Sequence, residues 1–525
     1  MKRWTLLMIA AAVMAVPAAA AEGPRLVVQI TFDQLRGDLL ERYRPALSGG
    51  LKRVLDQGWW VERGEAAHGL TVSWPGHGTL ATGMYPTHHG LTANEWWEKV
   101  GDEWAEVGAG TDPKTRVLGR DAVGESPWRL EAASIGDWFK AASPAAKVIA
   151  IGSDAAIPYG GKRPDGTYWF DSGAGGFTTS TYYVAARPAW IDALNARIAQ
   201  LPKSWTLTVP ARWRALAKHP QQCPAFQPEG VWRAGAGMLG PHVYRDSSGS
   251  YLSWVGSTPL ADEELLSRAG DIVRAEGMGQ DGVPDYLNLA IDSTDSIGHE
   301  YGPVSLEQLD TVLRLDRALG AFLEDLDRTV GKGRYVIAIS ADHGVVDPPE
   351  DHCIHRVSSA EIEALLDRVE AIAKAHHGDG ASLRAAIITE LQKAPFVGEV
   401  YTAERLAHAR PSDWKARLMK RSFRPERIPN FPLWSNKPRE FHPARYGIFV
   451  QFKEGMIFDY ARAVHGSPYA YDRLVPVIFY GAGVPHRGLR QGARTVDVAP
   501  TLAALAGVRV PERLDGRALL KEPKR

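Results

Sequence analysis

The sequence predicts an α/β protein built on a doubly wound, mostly parallel sheet with two inserted cap regions. Several β-branched, near-continuous apolar runs have the character of strands buried on both faces. Amphipathic helical patterns alternate with them. Most of the apolar runs also stop on polar residues, as expected where the carboxyl ends of parallel strands build a site.

The first run, Arg25–Phe32, ends on Asp33. Lys147–Ile151 ends in Gly152-Ser-Asp154, Tyr286–Ile291 in Asp292-Ser-Thr-Asp295, and Tyr335–Ile339 in Ser340-Ala-Asp-His343. Val475–Tyr480 reads as another strand, and its Pro476 suggests an edge or a strand start. The clearest helix is Ser305–Leu326: Ser305 and Gln308 make a capping box, and Leu309, Val312, Leu315, Leu319, Phe322 and Leu326 form one stripe. A short helix starts at Asp497 and ends at Gly507.

Two stretches depart from this alternation. Residues from about 155 to 280, rich in Trp, Tyr, Pro and Gly, read as a cap inserted over the site. Residues from about 355 to 460 read as a second insertion, with helical patterns at Ser359–His376 and Ala381–Lys393, the Pro-rich Arg421–Pro443, and a strand-like Tyr446–Phe452.

Residues 1 to 21 have the form of a secretory signal: Lys2 and Arg3, the apolar Leu6–Val16, then Pro17-Ala-Ala-Ala-Ala21. The rest, residues 22–525, is expected in the periplasm or outside the cell. No second apolar run approaches the roughly 20 residues of a membrane span. Lys+Arg and Asp+Glu total 61 each, so the formal charge is zero and nucleic acid as a main partner is disfavoured. Of the two cysteines, Cys223 and Cys353, an exported chain can make one disulfide or keep two thiols. Asp351-His-Cys-Ile-His355 lacks a second cluster at ligand spacing and is weak as a metal site.

The chemistry centres on Thr71–Gly83, which holds Ser73 before a Pro-Gly turn at a helix N-terminus, where free N–H groups and the dipole favour an anion. A serine attacks only when a base or a metal lowers its proton affinity. The polar strand ends supply Asp33, Asp295 with His299 four residues on, and the adjacent Asp342 and His343; His465 joins them from His465-Gly-Ser-Pro-Tyr469. Three carboxylates and three imidazoles suit Zn²⁺. Two such ions about 4 Å apart can activate a hydroxyl and stabilise the leaving oxygen of an in-line displacement.

Phe32-Asp-Gln-Leu-Arg36, Ser73-Trp-Pro-Gly-His77, Gly90-Leu-Thr-Ala-Asn-Glu-Trp96, Asp295-Ser-Ile-Gly-His299, Ser340-Ala-Asp-His-Gly344 and His465-Gly-Ser-Pro-Tyr469 together resemble the alkaline phosphatase superfamily. The nearest group is the phosphate-irrepressible alkaline phosphatases, close to the nucleotide pyrophosphatase/phosphodiesterase branch. The resemblance runs from about residue 25 to the C-terminus, including Val496–Leu502. It implies an alkaline phosphatase-like fold, phosphate esters as small-molecule substrates, and two Zn²⁺ per chain. One zinc is implied on Asp33, Asp342, His343 and the Ser73 oxygen, the other on Asp295, His299 and His465. It further implies a phosphoseryl intermediate on Ser73, hydrolysed by water, and an Asn94 amide that donates to a phosphoryl oxygen.

One departure bears on the substrate. The monoesterases of this group carry a Lys-Asp-Arg triplet after the strand that here is Lys147–Ile151; this chain reads Gly152-Ser-Asp-Ala155. Lys162 and Arg163, in Gly160-Gly-Lys-Arg-Pro164, either fold back to substitute for the two cations or sit in a solvated turn. Losing two charge-assisted contacts, each worth about 1.5–3 kcal/mol, weakens turnover of a monoester dianion more than that of a diester monoanion, which makes a phosphodiesterase bias the alternative reading. A sulfatase is disfavoured because His77 stands where Cys/Ser-x-Pro-x-Arg has its arginine. A non-catalytic zinc-binding relative is a minor option. Trp96, Trp97 and Trp169 are either walls of the leaving-group pocket or core.

Overall fold

The computed structural model describes residues 23–521 apart from 102, 218–240, 246–249, 436, 438, 440, 511 and 512. The expected signal segment and Cys223 lie outside the described residues. Cys353 is disulfide-bonded.

The central sheet contains β1 (Leu26–Phe32), β2 (Trp59–Glu65), β3 (Val148–Gly152), β4 (Gly166–Asp171), β5 (Gly176–Thr178), β6 (Asp285–Ile291), β7 (Tyr335–Ser340), β8 (Leu474–Gly481) and β9 (Arg487–Leu489). Their order is β9-β2-β8-β7-β1-β6-β3-β4-β5. β1 pairs in parallel with β6 and β7, β6 with β3, β3 with β4, and β9 with β2. β8 runs antiparallel to β7 and β2, and β5 to β4.

Every residue of β1, β6 and β7 is buried, as a sheet covered on both faces requires. Side chains alternate along a strand, so Leu26, Val28, Ile30 and Phe32 pack with the helices Gly50–Gln57, Leu260–Ala275 and Leu306–Leu326. Val27 turns the other way, toward the layer of helices Ser73–Thr82, Ile135–Ala142 and Val498–Leu505. Gln29 on that second face donates through Nε2 to Leu80 O at 3.1 Å and accepts from the Tyr286 hydroxyl at 2.9 Å. That bond fastens the Ser73–Thr82 helix to the middle of the sheet.

Three details differ from the sequence expectations. Pro476 lies in an interior strand, not at an edge or a strand start: the register of β8 on β2 shifts between Val475 and Val477, and this bulge accommodates a residue with no N–H to give. Ser305 accepts from Gln308 N at 3.0 Å, but the Gln308 amide donates to Thr294 O at 3.0 Å, so the capping box is only half made. Within the stretch 155–280, β4 and β5 join the central sheet, and Leu260–Ala275 packs in its core layer.

Residues 346–464 contribute a separate hydrophobic cluster. It gathers the helices Ser359–Ala375 and Gly380–Leu391 with a small sheet of Val397–Tyr401 against Phe449–Phe452. Among the described residues no helix is long and apolar enough to cross a membrane.

Candidate active site

The strands β7, β1 and β6 are neighbours, so the residues that follow their carboxyl ends are neighbours as well. Asp33 follows β1, Asp342 follows β7 by two residues, and Asp295 sits in the first turn of the Ser293–Tyr301 helix after β6. Ser73 opens the buried Ser73–Thr82 helix, which closes on Gly83 in the left-handed region at φ 66°. A Cβ on Gly76 would lie 2.7 Å from both Asp342 Cβ and Asp342 O, so glycine lets this helix seat directly on the strand end that carries Asp342.

The three imidazoles are held alike. Nδ1 of His343 lies 3.0 Å from Gly344 O, Nδ1 of His299 lies 2.7 Å from Ala463 O, and Nδ1 of His465 lies 2.8 Å from Thr71 O. A carbonyl can only accept, so each Nδ1 carries a proton, and in the neutral ring it is Nε2 that presents a lone pair. The Nε2 atoms converge: His465 Nε2 is 3.2 Å from His299 Nε2, and the His343 and His465 rings stack at 3.7 Å. Asp295 Oδ1 lies 3.3 Å from His299 Nε2 and 3.6 Å from His465 Nε2. His343 Nε2 lies 3.1 Å from Asp342 Oδ2 and 3.5 Å from Asp33 Oδ1.

The ligand atoms of Asp295, His299 and His465 all fall within 4.8 Å of one another, as do those of Asp33, Asp295 and His343 and those of Asp33, His77 and Asp342. Asp33 Oδ1, Asp342 Oδ2 and His343 Nε2 are buried without a hydrogen-bond partner. Buried polar atoms are ordinarily satisfied, and this donor set of carboxylate oxygens and neutral imidazole nitrogens fits divalent zinc.

The electrostatics agree. Burial, then Asp342 and Asp295, pushes the Asp33 carboxyl well above its ordinary range. Burial also raises Asp342, opposed by the Gln34 N–H and reinforced by Asp295. Burial drives His343 and His465 far down, keeping both neutral. Burial works against the charged form of His299 too, but the Asp295 carboxylate overrides it and lifts His299 to about 9. Crowded carboxylates beside two neutral imidazoles, with the third, His299, charged by Asp295, are an arrangement that a bound cation relieves by taking the place of the His299 Nε2 proton.

Asn94 Oδ1 accepts the Trp74 backbone N–H at 2.9 Å, which leaves the Asn94 amide nitrogen as its donor. Ser73, Asn94, Asp295, His299 and His465 line one cleft.

Lys162 and Arg163 are not brought there. Asp165 N donates to Val148 O at 2.9 Å, so the turn before β4 sits at the amino end of β3. The five residues of β3, roughly 15 Å of strand, separate that turn from the carboxyl ends. Both side chains are exposed, and Lys162 N donates to Asp137 Oδ1. In place of cations, the segment after β3 offers Asp154. Burial raises its carboxyl against the Ala155 N–H and the Trp74 indole. Nearby Asp292 is pushed to about 8 by burial, then by Asp295, Asp262 and Asp154.

Trp96 and Trp169 are core residues, 0% and 3% exposed. Trp97 bonds Asn430 through its indole N–H, and Arg445 lies over its ring at 3.9 Å. The aromatic wall of the cleft comes instead from Phe431, Trp434, Phe458 and Tyr460.

Two site residues escaped the sequence reading. Gln34 has φ 64°, donates through its backbone to Asp342 Oδ1 at 3.1 Å and through Nε2 to Asp295 Oδ1 at 2.5 Å. It clamps two carboxylates from a backbone conformation that costs free energy. His77, one helical turn after Ser73, places Nε2 3.3 Å from Asp33 Oδ2, and burial holds it neutral, down at about 3. Adjacency to Asp33 and the Ser73 plus four spacing were the available signals.

A family model described as type I phosphodiesterase / nucleotide pyrophosphatase matches residues 27–427. The chain belongs to this family. Membership in the type I phosphodiesterase / nucleotide pyrophosphatase family makes it a phosphoric ester hydrolase. The chain is 28% identical to alkaline phosphatase PafA of Elizabethkingia meningoseptica, over 99% of this chain and 98% of PafA. It is 30% identical to alkaline phosphatase PhoK of Sphingomonas sp, over 95% of this chain and 91% of PhoK. The wild-type PafA crystal structure superposes with a TM-score of 0.80 at 26% identity, covering 95% of this chain and 99% of PafA. Murine ectonucleotide pyrophosphatase / phosphodiesterase 5 shares the fold, with a TM-score of 0.52 at 13% identity over 93% of this chain and 97% of the murine protein.

Proposed function

We propose that this family member is an exported, zinc-dependent hydrolase of small phosphate esters that works through a phosphoseryl intermediate on Ser73. The observation that carries the reading is the convergence of three carboxylates, three imidazole Nε2 atoms and the Ser73 hydroxyl on the carboxyl ends of β7, β1 and β6. Asp295, His299 and His465 would hold one zinc; Asp33, Asp342 and His343, with Ser73, the other. Bound zinc supplies the positive charge that stabilises a serine alkoxide and a departing oxygen.

The chain's own residues do the rest. The Ser73–Thr82 helix fixes the hydroxyl at its N-terminus, where the helix dipole also favours the negative phosphoryl group. The Ser73 Oγ–phosphorus bond forms, the ester P–O bond breaks, the Ser73 proton goes to solvent, and the alcohol leaves with a proton from solvent. Water then attacks phosphorus as the Ser73 Oγ–phosphorus bond breaks, Ser73 regains a proton, the water gives one up to solvent, and phosphate, or a phosphate monoester where the substrate was a diester, is released. The Asn94 amide nitrogen donates to a non-bridging phosphoryl oxygen, because its carbonyl is committed to Trp74. His77 and Gln34 position the Asp33, Asp295 and Asp342 carboxylates. Export rests on the sequence of residues 1–21.

A second reading, a bias toward diesters, is favoured by Asp154 standing after β3 while Lys162 and Arg163 lie at the far end of the strand. Fewer cations face the free oxygens, which weakens a dianion more than a monoanion. The test is zinc stoichiometry with a panel of monoesters, diesters and sulfate esters on wild type and Ser73→Ala. Zinc near two per chain with phosphate-ester turnover lost in Ser73→Ala supports the proposal. A zinc-loaded but inert wild type, or turnover retained by the variant, overturns it. A p-nitrophenyl phosphate rate far above that on bis-p-nitrophenyl phosphate removes the diester bias.

A further inference from the structure

The cleft beside Ser73 has two unlike walls. One is the hairpin of Glu95–Val100 against Glu103–Gly108, in which Trp97 faces Glu106. Residues two apart share a strand face, so Glu95, Trp97 and Glu106 lie on the same face, and both glutamates line the cleft. The Glu106 carboxyl accepts from Asn430 Nδ2 at 2.6 Å. Burial and then Glu95 hold it above its ordinary range, opposed by the Asn430 amide and by Arg445, which lies behind over the Trp97 ring.

The other wall is aromatic. Trp434 lies 5.5 Å from Phe458 and 5.2 Å from Tyr460, and Phe431 lies 5.8 Å from Phe458. Trp434 and Tyr460 are 41% and 59% exposed and pack against each other, and it is a contiguous exposed apolar patch of this kind that marks a ligand or partner site. The Tyr460 ring sits 6.5 Å from the His299 ring, so this wall begins at the reacting centre. Among the described residues no lysine or arginine lines the cleft.

Aromatic faces opposite carboxylates, without a lining cation, repel an anionic ester group and attract an ammonium: the ring quadrupoles and the acids act in the same direction on a positive charge. We infer that the preferred substrates are phosphoric esters with an ester group bearing a quaternary or primary ammonium, seated between Glu95 and Glu106 on one side and Trp434 and Tyr460 on the other. This inference rests on the hydrolase reading of Ser73. A neutral aryl or nucleobase group, which rings alone would hold, is the rival.

The test compares two diesters with the same leaving group, p-nitrophenyl phosphorylcholine and p-nitrophenyl 3,3-dimethylbutyl phosphate, which differ in replacing the ammonium nitrogen by carbon. In zinc-loaded protein, kcat/KM is expected to be about tenfold or more higher for the choline ester, with the ratio shrinking as salt is added. In the Glu95→Gln/Glu106→Gln variant, and separately in Trp434→Ala, the ratio falls toward one; as a ratio within each preparation, it is independent of the fraction folded. A wild-type ratio near one, or a ratio that survives the double substitution, overturns the inference while leaving the hydrolase reading intact. Failure of the zinc-loaded protein to cleave these two diesters, bis-p-nitrophenyl phosphate and p-nitrophenyl phosphate alike removes both, whereas cleavage of p-nitrophenyl phosphate alone overturns the inference and leaves the hydrolase reading intact.

Discussion

Gly76 lies so close to Asp342 that a methyl group at its α-carbon would come within 2.7 Å of the Asp342 Cβ and carbonyl oxygen. Neither atom belongs to a flexible side-chain end. Gly76→Ala therefore has to push the Ser73–Thr82 helix away from the strand end that carries a proposed zinc ligand. The expected result is a loss of about 1–3 kcal/mol of stability with lowered zinc occupancy and turnover, read by urea unfolding and metal analysis. Unchanged zinc content and rate would show that the helix can shift freely.

Removing metal should destabilise the protein as well as silence it. Asp33 and Asp342 are buried together and each is raised by acidic neighbours, so a bound dication that leaves exposes their repulsion. A ligand held at 100 times its Kd contributes about 2.7 kcal/mol. Chelation is expected to lower Tm, and Zn²⁺ to restore Tm and activity together. Equal Tm values with and without chelator would count against these residues as the metal site.

Glu125 provides a pH test away from the proposed ligands. Burial, then Asp154 and Asp171, lifts its carboxyl to about 8, with Arg120 opposing. A folded-state value above the ordinary 4.5 means that its favourable contribution is full below about 4.5 and is lost as pH rises through about 8. Glutamine stays neutral throughout, so the Tm of Glu125→Gln relative to wild type should be higher at pH 9 than at pH 5. A difference independent of pH would mean that the carboxyl titrates normally.

Lys162 and Arg163 lie at the amino ends of the parallel strands, remote from Ser73. Replacing both by alanine is expected to leave kcat/KM for a monoester and a diester within about twofold of wild type, as is usual for surface changes away from a site. A selective tenfold loss on the monoester would mean that the turn reaches the phosphoryl oxygens after all.

Much of the fold was legible because β1, β3, β6 and β7 are buried on both faces and so read as unbroken apolar runs, with Asp33, Asp154, Asp295 and Asp342 announcing their carboxyl ends. β4 was not, because Gly166-Thr-Tyr-Trp-Phe-Asp171 mixes ring-bearing and polar residues at a sheet margin without a clean period. Pro476 misled because a bulge can hold a proline inside a sheet, and a bulge has no sequence period. The cluster of Ser73 with its acids and histidines was foreseeable from residue type and order. Gln34 was not, since its role depends on a positive φ. Trp96 and Trp169 could not be separated from Trp434 by composition, because indoles that fill a core and indoles that floor a cleft differ only in what surrounds them.

The imidazole Nδ1 atoms of His299, His343 and His465 are anchored to main-chain carbonyls of Ala463, Gly344 and Thr71. At Gly344 a Cβ would run into the Tyr471 backbone oxygen, so that position is confined to glycine; every amino acid carries the carbonyl oxygen, so drift in side-chain identity at Ala463 and Thr71 cannot erase the other two anchors. Insertions, deletions or a local kink can. The orientation of the His299 and His465 rings is thus shielded from most single-codon change yet exposed to any alteration in loop length, and natural variants that lose it should carry indels near these anchors more often than missense changes.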